Sequence, residues 1–396
     1  MKFFHTADWH LGKLVQGVYM TEDQEYVLKQ FINFIKEEKP DAVIIAGDLY
    51  DRAVPPTEAV QLLNHVLDEI VLELNTPVLA IAGNHDSPSR LHFGSKIMIE
   101  KGFHIAGQLE SEINTVILED EYGEVHFHLV PYCDPSVVRN ILEDDSIKSH
   151  DDATNKLVEK IQSTLVPQAR HVYVGHAFVT PFGEKQENTS ESERPLSIGG
   201  AEHVNAQHFE CFDYTALGHL HQGHYVHKEN IRYAGSPLKY SVSEEHHKKG
   251  FYIVEMDGEG KTTVEKRLLS PRRDLRTVES NIEEMLTYPI NEDYVFVKLT
   301  DETPVLSAME KVRSVFPNAM HVERMYDGNI QMKTATEVKP RNELTDVELF
   351  AAFYKEVTGL ETSEATEEVF KELLDELLKL ENETLEIAKK EAAASN

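Results

Sequence analysis

The sequence predicts an α/β fold for residues 1 to about 270, with a site built along one rim of its strands. Short apolar runs alternate with segments of helical periodicity. Five of those runs end in a Gly- or polar-bounded signature rich in Asp, His and Asn. The carboxyl ends of strands in an α/β sheet share one edge, so side chains that follow successive strands converge there.

In chain order, Phe3-Phe4 leads into Asp8-Trp9-His10. Residues 22–38 carry Tyr26, Val27, Phe31, Phe34 and Ile35 as a helical stripe. Val43-Ile44-Ile45-Ala46 leads into Gly47-Asp48-Leu49-Tyr50-Asp51, and Pro55-Pro56-Thr57 opens a second helix with Val60, Leu63, Val66, Leu67 and Ile70 on one face. Val78-Leu79-Ala80-Ile81 leads into Gly83-Asn84-His85-Asp86. Residues 126–130 alternate as a strand, and 157–165 are expected to be helical. Val172-Tyr173-Val174 leads into Gly175-His176, and the polar stretch 181–200 is expected to be a mobile loop beside the site. Tyr214-Thr215-Ala216-Leu217 leads into Gly218-His219-Leu220-His221. Residues 231–234 form a strand before Gly235-Ser236-Pro237, and 251–256 an edge strand before the turn Asp257-Gly258-Glu259-Gly260.

Ser270-Pro271-Arg272-Arg273 marks a boundary. Beyond it, a strand over 295–299, a helix over 305–316 and a strand over 321–325 predict a smaller α/β unit ending at a linker, 338–342. Residues 346–357 and 364–390 then read as amphipathic helices, the second with Val369, Phe370, Leu373, Leu374, Leu377 and Leu378 against an acidic face. Such a pair cannot build a core alone, so it folds back on the main body or docks on a partner.

With 396 residues the chain is long enough for two or three domains, and its 41% hydrophobic and 27% charged residues are ordinary for a globular protein. No apolar run is long enough to span a bilayer, and no signal peptide is expected, since Met1-Lys2-Phe3-Phe4-His5 reads as the start of the first strand. Two cysteines, Cys133 and Cys211, predict no disulfide framework and fit a reducing cytoplasm. The net charge of −30 argues against tight autonomous binding to nucleic acid. Residues 343–396, however, hold 15 acidic and five basic side chains, and bound divalent cations would make the rim itself positive.

The rim residues predict a two-metal centre. Two cations about 3.5–4 Å apart need a bridging carboxylate, and Asp48 is placed for that role. Asp8, His10 and His221 would complete one metal, and Asn84, His176 and His219 the other. Asp8/His10 and His219/His221 are spaced by two, which turns both side chains of an extended segment to one side. Imidazole, carboxylate and amide donors suit Mn²⁺, Fe²⁺ or Zn²⁺ better than Mg²⁺ or Ca²⁺. A water or hydroxide between the metals would attack phosphorus, His85 would protonate the leaving oxygen, and Asp86 would orient His85. Asp51 either supports the ligands or touches substrate. Trp9 reads as a wall of the site, His5, His224 and His227 as packing or surface residues, and His246-His247-Lys248-Lys249 as a solvated turn.

These residues together resemble the calcineurin-like metallophosphoesterase superfamily. Within it, Met1 to His10, Gly47 to Asp51, Gly83 to Arg90 and Phe209 to Pro237 are similar to the SbcD family of bacterial nuclease subunits. The likeness is greatest in Phe212-Asp213-Tyr214-Thr215-Ala216-Leu217-Gly218-His219-Leu220-His221 and Tyr233-Ala234-Gly235-Ser236-Pro237. The resemblance implies a metallophosphoesterase β-sandwich flanked by helices over 1–270, a small α/β DNA-capping domain over 271–340, and helices over 341–396 that dock on SbcC, an SMC-like ATPase. It implies a Mn²⁺-dependent nuclease of DNA repair and recombination, acting on duplex ends, single strands and hairpins in the cytoplasm at the nucleoid. It also implies a homodimer through helices near 56–72 and 88–101, with Leu63, Val66, Leu67 and Ile70 as an apolar contact unless they are ordinary core. Lys13, Arg52, Arg90, Arg139 and Lys239 lie near the motifs and are candidates to touch DNA phosphates.

Two other functions use the same residues. A phosphomonoesterase or cyclic-nucleotide phosphodiesterase would share the bimetallic core, whereas the added small domain and helix pair favour a large substrate and a partner. A non-catalytic scaffold of this fold should have lost ligands or His85, and all are present.

Overall fold

The computed structural model describes residues 1–183, 190–193, 203–325, 345–358, 361–374 and 376. Twelve strands make two six-stranded sheets: β1 (Lys2–Thr6), β2 (Ala42–Ala46), β3 (Val78–Ile81), β4 (Phe103–Ala106), β5 (Asn114–Asp120), β6 (Gly123–Val130), β7 (Arg170–His176), β8 (Tyr214–Gly218), β9 (His224–Val226), β10 (Lys228–Tyr233), β11 (Gly250–Met256) and β12 (Thr262–Leu268). The first sheet has the order β12-β11-β1-β2-β3-β4, parallel from β1 to β4, with β11 and β12 antiparallel at one side. The second has the order β9-β10-β8-β7-β6-β5, parallel from β10 to β6. Strand β11 is therefore interior: β12, which the sequence reading did not anticipate, forms the edge.

Alternation along each strand explains why the sheets pack face to face. Phe3, Ile44 and Ile81 of the first sheet share a core with Phe127, Val172, Tyr214 and Ala216 of the second. Phe3 meets Phe127 and Tyr214 edge-on, with centroids 5.6 and 5.5 Å apart. The next residues in register, Phe4, Val43 and Ile45, face the other way and pack with Val27, Phe31 and Ile35 of the helix Thr21–Glu38. On the outer face of the second sheet, Tyr173 and Leu217 pack with Leu157 and Ile161 of the helix His150–Gln162. The result is the expected sandwich with a helical layer on each side.

Local chemistry sets the helix ends. Thr21–Glu38 has Glu22 and Asp23 in its first turn and Lys36 in its last, matching the helix dipole. His150–Gln162 starts seven residues before the expected 157, because Ser149 and Asp152 form a capping box. In the helix Thr57–Leu67 and its continuation Asp68–Glu73, Leu63, Val66 and Ile70 are core residues rather than an exposed contact. Leu67 is partly buried against the same core, whereas Phe93 and Ile97 of the 88–101 segment stand 86% and 78% exposed.

The chain divides into two compact units. The first holds residues 1–278, 288–297 and 309–321, so Leu275, Tyr294 and Met320 belong to its core. A three-stranded sheet, β13 (Leu275–Ser280), β14 (Tyr294–Leu299) and β15 (His321–Arg324), follows β12, with the helix Ala308–Arg313 shorter than the expected 305–316. In the second unit the helix Asp346–Thr358 and a helix over 364–374 meet through stacked Phe350 and Phe370 rings, 4.0 Å apart. The linker 338–342, most of the loop 181–200 and the helix beyond 376 lie outside the described residues. No described helix is long and apolar enough to cross a membrane.

Candidate metal centre

The loops after β1, β2, β3 and β8, and the carboxyl end of β7, bring the five signatures to one rim, as their strand order requires. The loop backbones are forced. Asp8, His10, Asp48 and His219 all have left-handed φ values, 54°, 46°, 51° and 108°. That conformation costs a non-Gly residue about 1–3 kcal/mol and persists where the surroundings overdetermine it. Gly83 has no alternative, since a Cβ there would lie 2.2 Å from Asp48 Oδ1.

Asp48 is the hub. Its Oδ1 accepts the His85 amide at 2.8 Å. Its Oδ2 lies 3.6 Å from His10 Nε2 and 3.5 Å from His176 Nε2. His176 Nδ1 donates to the Ala46 carbonyl at 2.9 Å, so Nε2 of the neutral ring is a lone pair. That lone pair faces Asn84 Oδ1 at 2.9 Å as well as Asp48. On the other side, His221 Nδ1 meets Glu244 Oε1 at 3.0 Å, which leaves its Nε2 lone pair aimed at His10 Nε2, 3.0 Å away. His10 Nδ1 is buried without a hydrogen-bond partner among the described residues.

Two sets of lone pairs thus converge on either side of one carboxylate oxygen. A proton on each pair would satisfy them locally, but burial pushes His10, His176 and His219 down from the usual imidazole range. Burial and the Asp48 charge push Asp8 up. Cations resolve both tensions at once, so the donor set fits a pair of divalent metals. Among the described residues, donor atoms of Asp8, Asp48 and His176 lie within 4.8 Å of one another, as do those of His10, Asp51 and His85. Asp8, which the sequence reading grouped with His10 and His221, has its Oδ1 3.9 Å from His176 Nδ1. Its carboxylate accepts the His219 amide at 2.9 Å. The His219 ring stands beside His176, with centroids 5.4 Å apart.

His85 is buried at the rim, and its Nδ1 donates to the Asp51 carbonyl at 2.8 Å. Asp86 does not orient it. The Asp86 carboxylate instead accepts the amides of Leu49, Tyr50 and Gly83 at 2.9–3.1 Å, tying the β2 and β3 loops together. Burial and the neighbouring Asp48 push its carboxyl up to about 8.

The five basic candidates separate. Lys13 pairs with Asp51 at 2.8 Å, Lys239 with Asp274 at 2.8 Å, and Arg139 Nε donates to the Ile147 carbonyl at 2.8 Å. Arg52 and Arg90 are exposed.

Comparison with known proteins settles the family. Residues 1–223 match the calcineurin-like phosphoesterase family, and residues 271–358 match a domain described as the type 5 capsule protein repressor C-terminal domain. The chain is 34% identical over 382 residues to the SbcD subunit of the nuclease SbcCD from Staphylococcus epidermidis, covering 96% of this chain and 99% of that one. The chain belongs to the SbcD family of calcineurin-like phosphoesterases. Membership makes it a metal-dependent phosphoesterase. Among solved structures, a Thermus thermophilus protein covers 67% of this chain and 98% of its own at 10% identity and a TM-score of 0.37. A dimetal phosphatase from Danio rerio covers 68% and 96% at 11% identity and a TM-score of 0.38.

Sequence reading of this SbcD-family chain missed the residues behind the rim. Gln24 holds the β1 loop by bonds to the Trp9 and His10 carbonyls and the Gly12 amide. Trp9 walls the site from within the core, bonded to Thr6 Oγ1. His5 is a core residue, as anticipated, between Tyr214 Oη and the Leu217 carbonyl. His224 bonds the Gln222 carbonyl, and His227 pairs with Glu210. The stretch 246–249 is not a solvated turn throughout: Lys249 is buried. Glu244 is fully buried beside it. No local periodicity marks either residue.

Proposed function

We propose that the chain is a Mn²⁺-dependent nuclease that hydrolyses phosphodiester bonds of DNA together with an SMC-like ATPase of the SbcC type. The observation that carries this reading is Asp48 Oδ2 between two converging donor sets, with His85 at the same rim. Asp8, His10 and His221 would hold one cation, Asn84, His176 and His219 the other, with Asp48 shared. Two divalent cations there supply Lewis-acid polarisation of phosphate oxygens and a water of lowered pKa. The residues do the rest. His85 keeps its Nδ1 proton on the Asp51 carbonyl, which leaves Nε2 for the reaction: with a second proton there, the imidazolium would give the Nε2 proton to the leaving oxygen and return to the neutral ring. Asp86 and Gln24 keep the ligand loops fixed while charge moves. Arg52 and Arg90 are the phosphate contacts favoured by exposure.

Residues 1–270 would be the nuclease domain, 271–340 a DNA-capping domain and 341–396 the ATPase-docking region. The helix pair near the carboxyl terminus supports docking, since Phe353, Val369 and Leu373 remain exposed. Exposed Phe93 and Ile97 likewise support a homodimer through the 88–101 segment. The Staphylococcus epidermidis relative is by its name a subunit of SbcCD, which supports both the substrate class and the partner.

The test is Mn²⁺-dependent degradation of end-labelled linear duplex DNA by the purified chain, alone and with its ATPase, against the His85→Ala variant. Cleavage by the unmodified chain alone supports the reading. Turnover of small phosphoesters, with DNA untouched under both conditions, overturns it. Deleting 343–396 should abolish co-purification with the ATPase and spare metal-dependent cleavage. A truncated chain that still binds the ATPase would place the docking surface elsewhere.

A further inference from the structure

We propose that Glu244 and Lys249 form a positioning pair that fixes the tautomer and backbone of His221, and so sets the affinity of the cation site to which His221 belongs. The inference rests on the two-metal reading above and extends it to two residues outside the five signatures.

The geometry is closed on every side. Glu244 is fully buried and Lys249 nearly so. Lys249 Nζ has three protons and three short contacts, Glu244 Oε2 at 2.5 Å, Ser236 Oγ at 2.8 Å and the His221 carbonyl at 2.8 Å, with His247 Nδ1 farther off at 3.5 Å. Glu244 Oε1 lies 3.0 Å from His221 Nδ1, and Ser192 donates to the same oxygen. Tyr240 N–H reaches Oε2 at 3.3 Å. One ion pair therefore grips His221 twice, by its ring and by its carbonyl. A carboxylate can only accept, so Nδ1 must carry the ring proton and Nε2 must present its lone pair.

The charge has a second consequence. An ionised acceptor on Nδ1 makes Nε2 a stronger donor than a neutral one would. Lys249 Nζ, 2.5 Å from Glu244 Oε2, supplies the counter-charge that a buried carboxylate requires. Of the seven candidate ligands, His221 is the one both residues bond directly.

The experiment measures Mn²⁺ binding to the full chain by calorimetry, with metal-free melting as the control for folding. Glu244→Gln should weaken one of two Mn²⁺ sites by about 10- to 100-fold and leave the other unchanged. It also strands the Lys249 ammonium, so a loss of stability is expected. The double variant Glu244→Gln/Lys249→Met removes both charges and should recover melting while Mn²⁺ affinity at that site stays weak. A merely structural pair gives the opposite result: affinity returns with stability. Equal affinities in all three folded proteins, or recovery of affinity in the double variant, overturns the proposal and leaves the two-metal reading standing. A wild-type chain that binds no Mn²⁺ overturns both.

Discussion

Two groups of buried histidines, one in the interior away from the site and one on the rim, differ in who satisfies their nitrogens. On the outer, helix-covered face of the second sheet, His128 Nε2 meets His171 Nδ1 at 3.1 Å, His128 Nδ1 meets Thr115 Oγ1 at 3.1 Å, and His171 Nε2 donates to the Val166 carbonyl at 3.0 Å. Each ring nitrogen there has a partner within the chain, as do both nitrogens of His5. On the rim, His10 and His221 turn nitrogens toward each other, and His176 turns a lone pair toward two oxygens. Burial is similar in the two groups, so it does not mark function. The distinction is whether the lone pairs are closed by protein donors or converge on a space that a cation fills.

The largest effect that sharpens this comparison comes from the rim. His85→Ala should lower DNA cleavage by about 10²- to 10⁴-fold with both Mn²⁺ affinities intact, read by single-turnover assay and calorimetry. Cleavage within a few-fold of wild type would remove His85 from proton transfer. Next, Gly83→Ala forces a Cβ onto Asp48 Oδ1, 2.2 Å away, and should weaken Mn²⁺ binding on the order of 10- to 100-fold. Unchanged binding would mean that Asp48 is not held by that loop.

Acidification of the metal-free chain should act on the interior group and also on His10, His176 and His219, which burial lowers in the same direction. Burial pushes His5 and His128 down to about 3 from a usual 6.5, with His171 adding to the effect on His128. The unfolded chain therefore binds more protons between those values, and stability rises with pH across that window. It is fully present above about 6.5 and is lost as pH falls toward 3. At pH 5 each residue should cost about 2 kcal/mol, measured by urea denaturation of the metal-free chain. A flat profile between pH 7 and 5 would contradict the buried neutral state. Smallest of all, His128→Leu should cost about 1–2 kcal/mol at pH 7 by stranding Thr115 and His171, soften that acid slope, and leave Mn²⁺ binding and cleavage alone. A loss of Mn²⁺ affinity in this variant would erase the distinction between interior and rim.

Much of the site was legible because its parts are local. A strand of four or five apolar residues, a glycine and a ligand occupy one short stretch, and the parallel order of β1, β2 and β3 aligns three such stretches. The role of Asp86 was misread because adjacency in sequence to His85 suggested contact, whereas the loop turns its carboxylate onto three backbone amides. The apolar stripe of Thr57–Leu67 was ambiguous for a different reason: core and contact faces have the same composition, and only packing against Phe31 and Val43 in one core separates them. Lys13, Arg139 and Lys239 looked available because a sequence does not show which carboxylate or carbonyl each will meet.

Residue order was enough for the α/β layering, the seven candidate ligands and the placement of His85, since periodicity and strand-end position are properties of contiguous residues. Folding in three dimensions was needed for the sharing of Asp48 Oδ2 between His10 and His176, the proton on His85 Nδ1, and the grip of Glu244 and Lys249 on His221. Those contacts join separate segments of the chain through single atoms. Their energy depends on distances and donor directions that no pattern of residue types encodes.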